Sequence, residues 1–235
     1  MGDRLRTGRA RTLTVADRAA FVRAQTRLAP VAFVPEVRLH QADEATALWH
    51  LTEAELGLGD LQPPFWAFAW AGGQGLARFI LDHPGIVAGK RVLDFASGSG
   101  LVAIAAAKAG AALVEAVDID PFAHAAIQEN MAANAVAVTA QCADLIGTRP
   151  AVDIVLAGDV FYDRSFAAAA TPWFGALAAA GVTVLAGDPG RHYRPRRGVR
   201  EIAAYDVPVH PALEDAALKR VAVLSVDADV GVEPG

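Results

Sequence analysis

The chain has 235 residues, of which 54% are hydrophobic, with mean hydropathy +0.30 and formal net charge −5. That length suits one catalytic domain with an N-terminal extension and supports a large core. There is no run of about 18 purely apolar residues, which argues against a membrane span, and the negative charge disfavours general nucleic-acid binding. One cysteine precludes an internal disulfide and fits a reducing cytoplasm. The six histidines (40, 50, 83, 124, 192 and 210) lack metal-ligand spacing, so no metal is expected.

Residues 1–13 read as a disordered basic tail. Residues 1–30 carry seven arginines against Asp3 and Asp17. Thr14, with Asp17 three residues on, opens a helix to about Arg27, and Pro30 lies just beyond it. Val37–His40 and Leu48–Leu51 are short strands or a helix, and 57–64 is a loop. Residues 14–75 therefore form a helical and loop extension. In Pro63-Pro64-Phe65-Trp66-Ala67-Phe68-Ala69-Trp70 the aromatics alternate at strand period. The flanking prolines and Gly72-Gly73 argue instead for a short special segment before a core helix at Gly75–Asp82. A ring such as Trp66 or Trp70 can stabilise a sulfonium or an ammonium, or can simply plug the core under a sheet.

From Lys90 strands and helices alternate, so residues 76–235 read as a parallel, doubly wound α/β sheet with right-handed crossovers. Val92-Leu93-Asp94 runs into Phe95-Ala96-Ser97-Gly98-Ser99-Gly100 and then an alanine-rich helix to Ala109. Glycines 98 and 100 allow close approach to the backbone, and the helix start presents unpaired N–H groups. This is a nucleotide-type cofactor site at a strand's carboxyl end. Gly98 to Ala103 also fits the dinucleotide pattern G-x-G-x-x-A. However, Asp94 would repel a pyrophosphate and suits a cofactor with a cationic amino group, such as S-adenosylmethionine. The absence of a Tyr-x-x-x-Lys pair further weakens a nicotinamide oxidoreductase.

Leu113–Asp118 is the second strand, and Asp118 can accept from both ribose hydroxyls. Pro121 opens a helix to about Asn134. Val136–Gln141 is the third strand, followed by Cys142-Ala143-Asp144. Asp144 is placed to accept from an adenine amino group, while Cys142 reads as a small packed residue and not a nucleophile. Val152–Ala157 is the fourth strand and opens into Gly158-Asp159-Val160-Phe161-Tyr162-Asp163. Asp159 and Tyr162 fall where a methyl acceptor would sit, with a helix cap as the plain alternative for Asp159. Val182–Ala186 is the fifth strand, and Gly187-Asp188-Pro189-Gly190-Arg191 is its exit. Five arginines and no acid lie in 191–200, a basic patch able to steer an acidic partner. Strands at about 201–207 and 218–226 make an antiparallel finish.

D-x-A-x-G-x-G over 94–100 resembles the first motif of class I methyltransferases, with Ala96 replacing the usual first glycine. D-x-x-Y over 159–162 resembles the post-strand motif of a lysine-directed family. Adding Val34-Pro35-Glu36, Leu48-Trp49, the Pro-Pro-Phe-Trp run, Asp118 to Pro121 and Gly187 to Arg191, the chain resembles a known family over about 21–226. That family is the protein-lysine methyltransferases acting on the electron-transfer flavoprotein beta subunit, in particular their bacterial relatives. The resemblance implies the seven-stranded class I methyltransferase (Rossmann-like) sheet, with helices on both faces. It implies S-adenosylmethionine held by Trp70, Asp94, Ala96, Ser97, Gly98, Gly100, Asp118, Ile119 and Asp144. Asp159 and Tyr162 are then catalytic, and Trp66, Phe161, Asp188 and Arg191 face the substrate.

The implied acceptor is a lysine ε-amine on a protein, electron-transfer flavoprotein, acted on by a cytoplasmic monomer without nucleic-acid or membrane partners. A ribosomal protein or a nicotinamide-like amine is the alternative. Intact acids at 94, 118 and 144 argue against a non-catalytic adaptor. At pH 7 only about one lysine in 10^3 is neutral, a cost of roughly 4–5 kcal/mol. A carboxylate beside the amine attracts the ammonium but raises its pKa, so Asp159 suits orientation better than strong-base work.

Overall fold

The computed structural model describes residues 13–43, 63–209 and 217–231. The expected basic tail to residue 12, the Leu48–Leu51 element and the loop from 57 to 62 lie outside the described residues. Helix α1 (Val15–Gln25) opens with the expected capping box: Asp17 N–H donates to Thr14 Oγ1 at 3.1 Å, and Thr14 N–H donates to Asp17 Oδ2 at 2.9 Å. It stops short of Arg27. Arg27 begins β1 (Arg27–Val31), which pairs antiparallel with β2 (Val34–Gln41). Pro30 lies inside β1, opposite Arg38, a position that a two-stranded ribbon tolerates because every strand is an edge. Val34, Val37 and Leu39 are buried and seat the ribbon on the core.

The aromatic run is not a strand. It folds as a single 3-10 turn at Phe65–Ala67, and helix α2 follows at once (Ala71–Asp82), starting at Ala71 and not at Gly75. The boundary expected at 75/76 thus falls inside a helix, so extension and domain share one element. The chain then gives β3 (Arg91–Phe95), α3 (Leu101–Lys108), β4 (Leu113–Asp118), α4 (Pro121–Asn134) and β5 (Thr139–Cys142). β6 (Ile154–Gly158), α5 (Arg164–Ala179) and β7 (Thr183–Asp188) come next, then β8 (Arg197–Pro208) and β9 (Leu218–Gly231).

Seven strands form one sheet in the order β5-β4-β3-β6-β7-β9-β8. β5 through β7 run parallel, and β9 enters antiparallel between β7 and β8. Leu76, Ile80, Ile104 and Ile127, from α2, α3 and α4, bury one face of the sheet with Val92, Leu156 and Leu185. Trp173, Phe174 and Leu177 of α5 bury the other with Leu93, Val155 and Leu224. Because β3 lies between β4 and β6, the winding direction reverses beside it. A crevice opens at the carboxyl ends of the strands at such a reversal.

The glycines at the start of α2 have a packing reason. A Cβ on Gly187 would stand 2.1 Å from the Gly72 carbonyl oxygen, and one on Gly158 would stand 2.8 Å from Gly73 Cα. The N-terminus of α2 therefore rests directly on the exits of β6 and β7, a contact that no side chain could share.

Candidate active site

The crevice holds a cavity of about 620 Å³, walled by the ends of β3, β4 and β6, the 63–70 segment and the start of α5. That size suits a cofactor plus the tip of an acceptor. Asp94, near the end of β3, is 1% exposed. Its Oδ2 accepts from Ser97 Oγ at 2.5 Å and from Ala103 N–H at 2.9 Å, tying the turn to the start of α3. Burial, with Asp118 nearby, pushes its carboxyl up to about 7 against those two hydrogen bonds.

The turn needs left-handed backbone at three places: Ala96 (φ 52°), Gly98 (φ 53°) and Gly100 (φ 80°). The conformation costs glycine little, but an L-residue roughly 1–2 kcal/mol. Ala96 therefore carries strain that the usual glycine would not. Asp118 Oδ2 accepts from Gly98 N–H at 2.8 Å and Oδ1 from Asp120 N–H at 3.0 Å, while burial raises its pKa. Ile119 beside it is 60% exposed at the cavity wall, an apolar surface suited to a flat base. Asp144 also lines the cavity and accepts from Ile146 N–H at 2.9 Å.

Sequence reasoning missed two supporting groups here. Asp120 caps α4 through Phe122 N–H and is driven to about 6 by burial. Asn130, wholly buried, donates to the Ser99 carbonyl at 2.8 Å and accepts from His40 N–H at 2.7 Å, clamping the glycine turn to β2. A polar Asn within an otherwise apolar helix face was its only sequence signal.

The aromatic segment supplies the opposite wall. Trp66 is 2% exposed and stacks on Phe122 at 6.2 Å, so it is largely a core plug with one edge on the cavity. Trp70 donates its indole N–H to the Phe65 carbonyl at 2.9 Å, and Phe65 lies 5.3 Å from the Tyr162 ring. Tyr162 is raised to about 12, first by burial and then by nearby Asp118, Asp163 and Asp159. It stays a phenol at neutral pH and can donate a hydrogen bond, but it cannot act as a base.

Asp159 is no helix cap. That position belongs to Asp163, which accepts from Phe166 N–H. Asp159 has φ 62° and is 7% exposed. Its Oδ2 accepts from Gly72 N–H at 3.0 Å, its own N–H donates to the Gly187 carbonyl at 2.8 Å, and its Oδ1 meets Arg191 Nε at 2.6 Å. Asp159, Tyr162 and Arg191 all line the cavity. Two expected substrate-facing residues do not. Phe161 is fully buried against Phe174 because the turn after β6 sends it under α5. Asp188, also fully buried, accepts from the N–H groups of Gly190 and Arg191 and so shapes the turn that carries Arg191. Cys142 is exposed instead of packed, and partial desolvation together with nearby Asp120 and Asp118 pushes its thiol up, so it gains no nucleophilic character.

The cavity wall thus carries Asp94, Asp118, Asp120, Asp144, Asp159 and Asp163 against Arg191 among the described residues. A pyrophosphate would find acids where it needs donors. S-Adenosylmethionine, with a sulfonium and an ammonium, fits this charge, and Asp94, Asp118, Ile119 and Asp144 are the groups that would hold it. When bound it supplies an electrophilic methyl group. Fold and site together define a class I S-adenosylmethionine-dependent methyltransferase.

Comparison with known proteins narrows this. The family model described as ribosomal protein L11 methyltransferase (PrmA) matches residues 80–159. The electron transfer flavoprotein beta subunit lysine methyltransferase of Xenopus laevis is 40% identical over 176 residues, covering 73% of this chain and 70% of its own. The mouse enzyme is 34% identical over 196 residues, covering 80% and 76%. Among solved structures, the magnesium protoporphyrin IX methyltransferase of Synechocystis, with bound S-adenosylhomocysteine, aligns at a TM-score of 0.50 and 18% identity. It covers 78% of this chain and 95% of that one, a likeness of fold. The chain belongs to the electron transfer flavoprotein beta subunit lysine methyltransferase family.

Proposed function

We propose that this enzyme transfers methyl groups from S-adenosylmethionine to lysine ε-amines of the electron-transfer flavoprotein beta subunit. Its family membership supports the substrate. The observation that carries the reading is the placing of Asp159 and Tyr162 on the same cavity wall system as Asp94 and Asp118. An amine between Asp159 and Tyr162 lies in the same cavity as the ribose-binding acid, and Asp118 is near enough to raise the Tyr162 phenol. Asp159 orients it, and Tyr162 offers a ring and a hydroxyl. Such positioning alone contributes several kcal/mol.

The match to the ribosomal L11 methyltransferase model spans β3 to β6 and ends at Asp159, so it takes in the cofactor-binding residues and Asp159 but neither Tyr162 nor Arg191. The enzyme is best read as a bacterial, cytoplasmic monomer without nucleic-acid or membrane partners. Its single, exposed cysteine suits a reducing compartment. Among the described residues no helix is long and apolar enough to cross a membrane.

The test is intact-mass and peptide analysis of recombinant electron-transfer flavoprotein, ribosomal protein L11 and free nicotinamide, each incubated with enzyme and cofactor. Lysine-localised mass gain on the flavoprotein beta subunit is expected. Methylation of L11 or nicotinamide alone would overturn the substrate. In the same assay Asp159→Asn, which keeps an acceptor for Gly72, should lose at least about 100-fold in activity, the order that orienting groups contribute. Its S-adenosylmethionine affinity should remain within a few-fold.

A further inference from the structure

We propose that Arg191 is a positioning residue that keeps Asp159 charge-compensated, so that the acceptor site takes and holds a neutral amine. The inference rests on the lysine-acceptor reading above. An uncompensated carboxylate beside a lysine would favour the ammonium, which has no lone pair to attack with. Here neither Asp159 oxygen is uncompensated. Oδ2 takes the Gly72 N–H in the first turn of α2, where the helix carries partial positive charge. Oδ1 takes the Arg191 guanidinium at 2.6 Å, with both side chains largely buried. Each carboxylate oxygen keeps acceptor capacity, so Asp159 can still receive an N–H and aim the nitrogen lone pair.

The surrounding charges support the assignment. From the β6 exit, Asp159, Tyr162 and Asp163 face the acceptor position. From β3, β4 and the exit of β5, Asp94, Asp118, Asp120 and Asp144 line the same cavity, with Asp118 near Tyr162. From the β7 exit come Arg191 and, behind it, Asp188 with Arg194 at 3.8 Å. α2 contributes backbone N–H and the uncharged Gln74. Among these described groups, Arg191 is the cation on the cavity wall. Asp188, through the Gly190 and Arg191 N–H groups, fixes the turn that presents it.

In the reaction the amine lone pair forms the C–N bond as the C–S bond breaks, and that bond's electron pair stays on sulfur. The sulfonium becomes a neutral thioether. The product is a methylammonium, which passes its proton to water before any second transfer.

The test is the pH profile of kcat, at saturating protein substrate and cofactor so that it reports titration within the bound complex, for the parent, Arg191→Met, Arg191→Lys and Asp188→Asn. Removing the guanidinium should move the acidic limb up by about one unit, so activity near neutrality falls about ten-fold and recovers at high pH. Arg191→Lys, which keeps the charge, should keep the limb near the parental position. Asp188→Asn, which loosens the turn, should move it the same way as Arg191→Met but less. S-Adenosylmethionine affinity, measured calorimetrically on the same preparations, should stay within two-fold and reports folding. A loss equal at every pH, or no loss, overturns the proposal while leaving lysine methylation standing. A parent enzyme that methylates no lysine overturns both.

Discussion

At the scale of single residues, Asp94 makes cofactor binding a proton-linked event. Its folded pKa of about 7 stands above the ordinary carboxylate value of 3.8 because burial disfavours the charge. The ligand-free fold therefore takes up a proton that the unfolded chain does not. This contribution to stability is present in acid and is lost as pH rises toward 7. A cationic cofactor prefers the ionised form. Affinity should rise with pH up to about 7 and then level off, and binding below that pH should release a proton. Calorimetry at about pH 6 in two buffers of different ionisation enthalpy should give different heats for the parent and a smaller difference for Asp94→Asn, in which Asp118 and Asp120 still titrate. Equal heats for the parent would remove Asp94 from the linkage. The acids at the strand ends were legible in the sequence because a carboxylate just past a buried run is conspicuous. The Asp159–Arg191 pair was not, since its members meet only because β6 and β7 are sheet neighbours. Which way Phe161 and Asp188 point depends on turn geometry, and the sequence does not encode that in any period.

Between elements, the contact of α2 with β6 and β7 is the most demanding joint in the molecule. Gly187→Ala would drive a methyl group into the Gly72 carbonyl, which must move and take with it the N–H that holds Asp159. Overpacking of this kind costs about 1–3 kcal/mol or more. Urea unfolding should show at least that loss. Gly85→Ala, where nothing lies within 4 Å and φ is not positive, should be neutral or slightly stabilising. Equal stability for the two variants would remove the joint. The same joint explains a misread boundary. Gly72 and Gly73 are poor helix formers, so local propensity starts α2 at Gly75, and a tertiary demand overrides it. β5 likewise begins at Thr139 and not at Val136, because Ala135 ends α4 in left-handed backbone. The other parallel strands were placed within a residue or two, since buried runs between short turns leave little choice. The β1–β2 ribbon, half of it exposed, gave no such signal.

Over the whole molecule, the arginine-rich stretch 191–200 divides into two functions. Arg191 and Arg194 turn inward to Asp159 and Asp188, while Arg196, Arg197 and Arg200 stay exposed. Only the outer three can steer an acidic protein. Changing all three to serine should flatten the fall of kcat/KM as salt shortens the screening length below about 10 Å. Identical salt profiles would reduce them to a solvated edge. The distribution of charge along the cavity bears on turnover as well as on binding. Asp94, Asp118 and Asp144 come from β3, β4 and the exit of β5, while Arg191, paired with Asp159, comes from the exits of β7 and β6. Each transfer moves one positive charge from sulfur to the acceptor nitrogen. The spent cofactor keeps its ammonium but has lost the sulfonium charge, so its attraction to the acids weakens, and the newly charged lysine lies beside an Asp159 that Arg191 already compensates. The spent cofactor is thus held less strongly than its precursor, and the loss of one charge at sulfur favours emptying of the cavity.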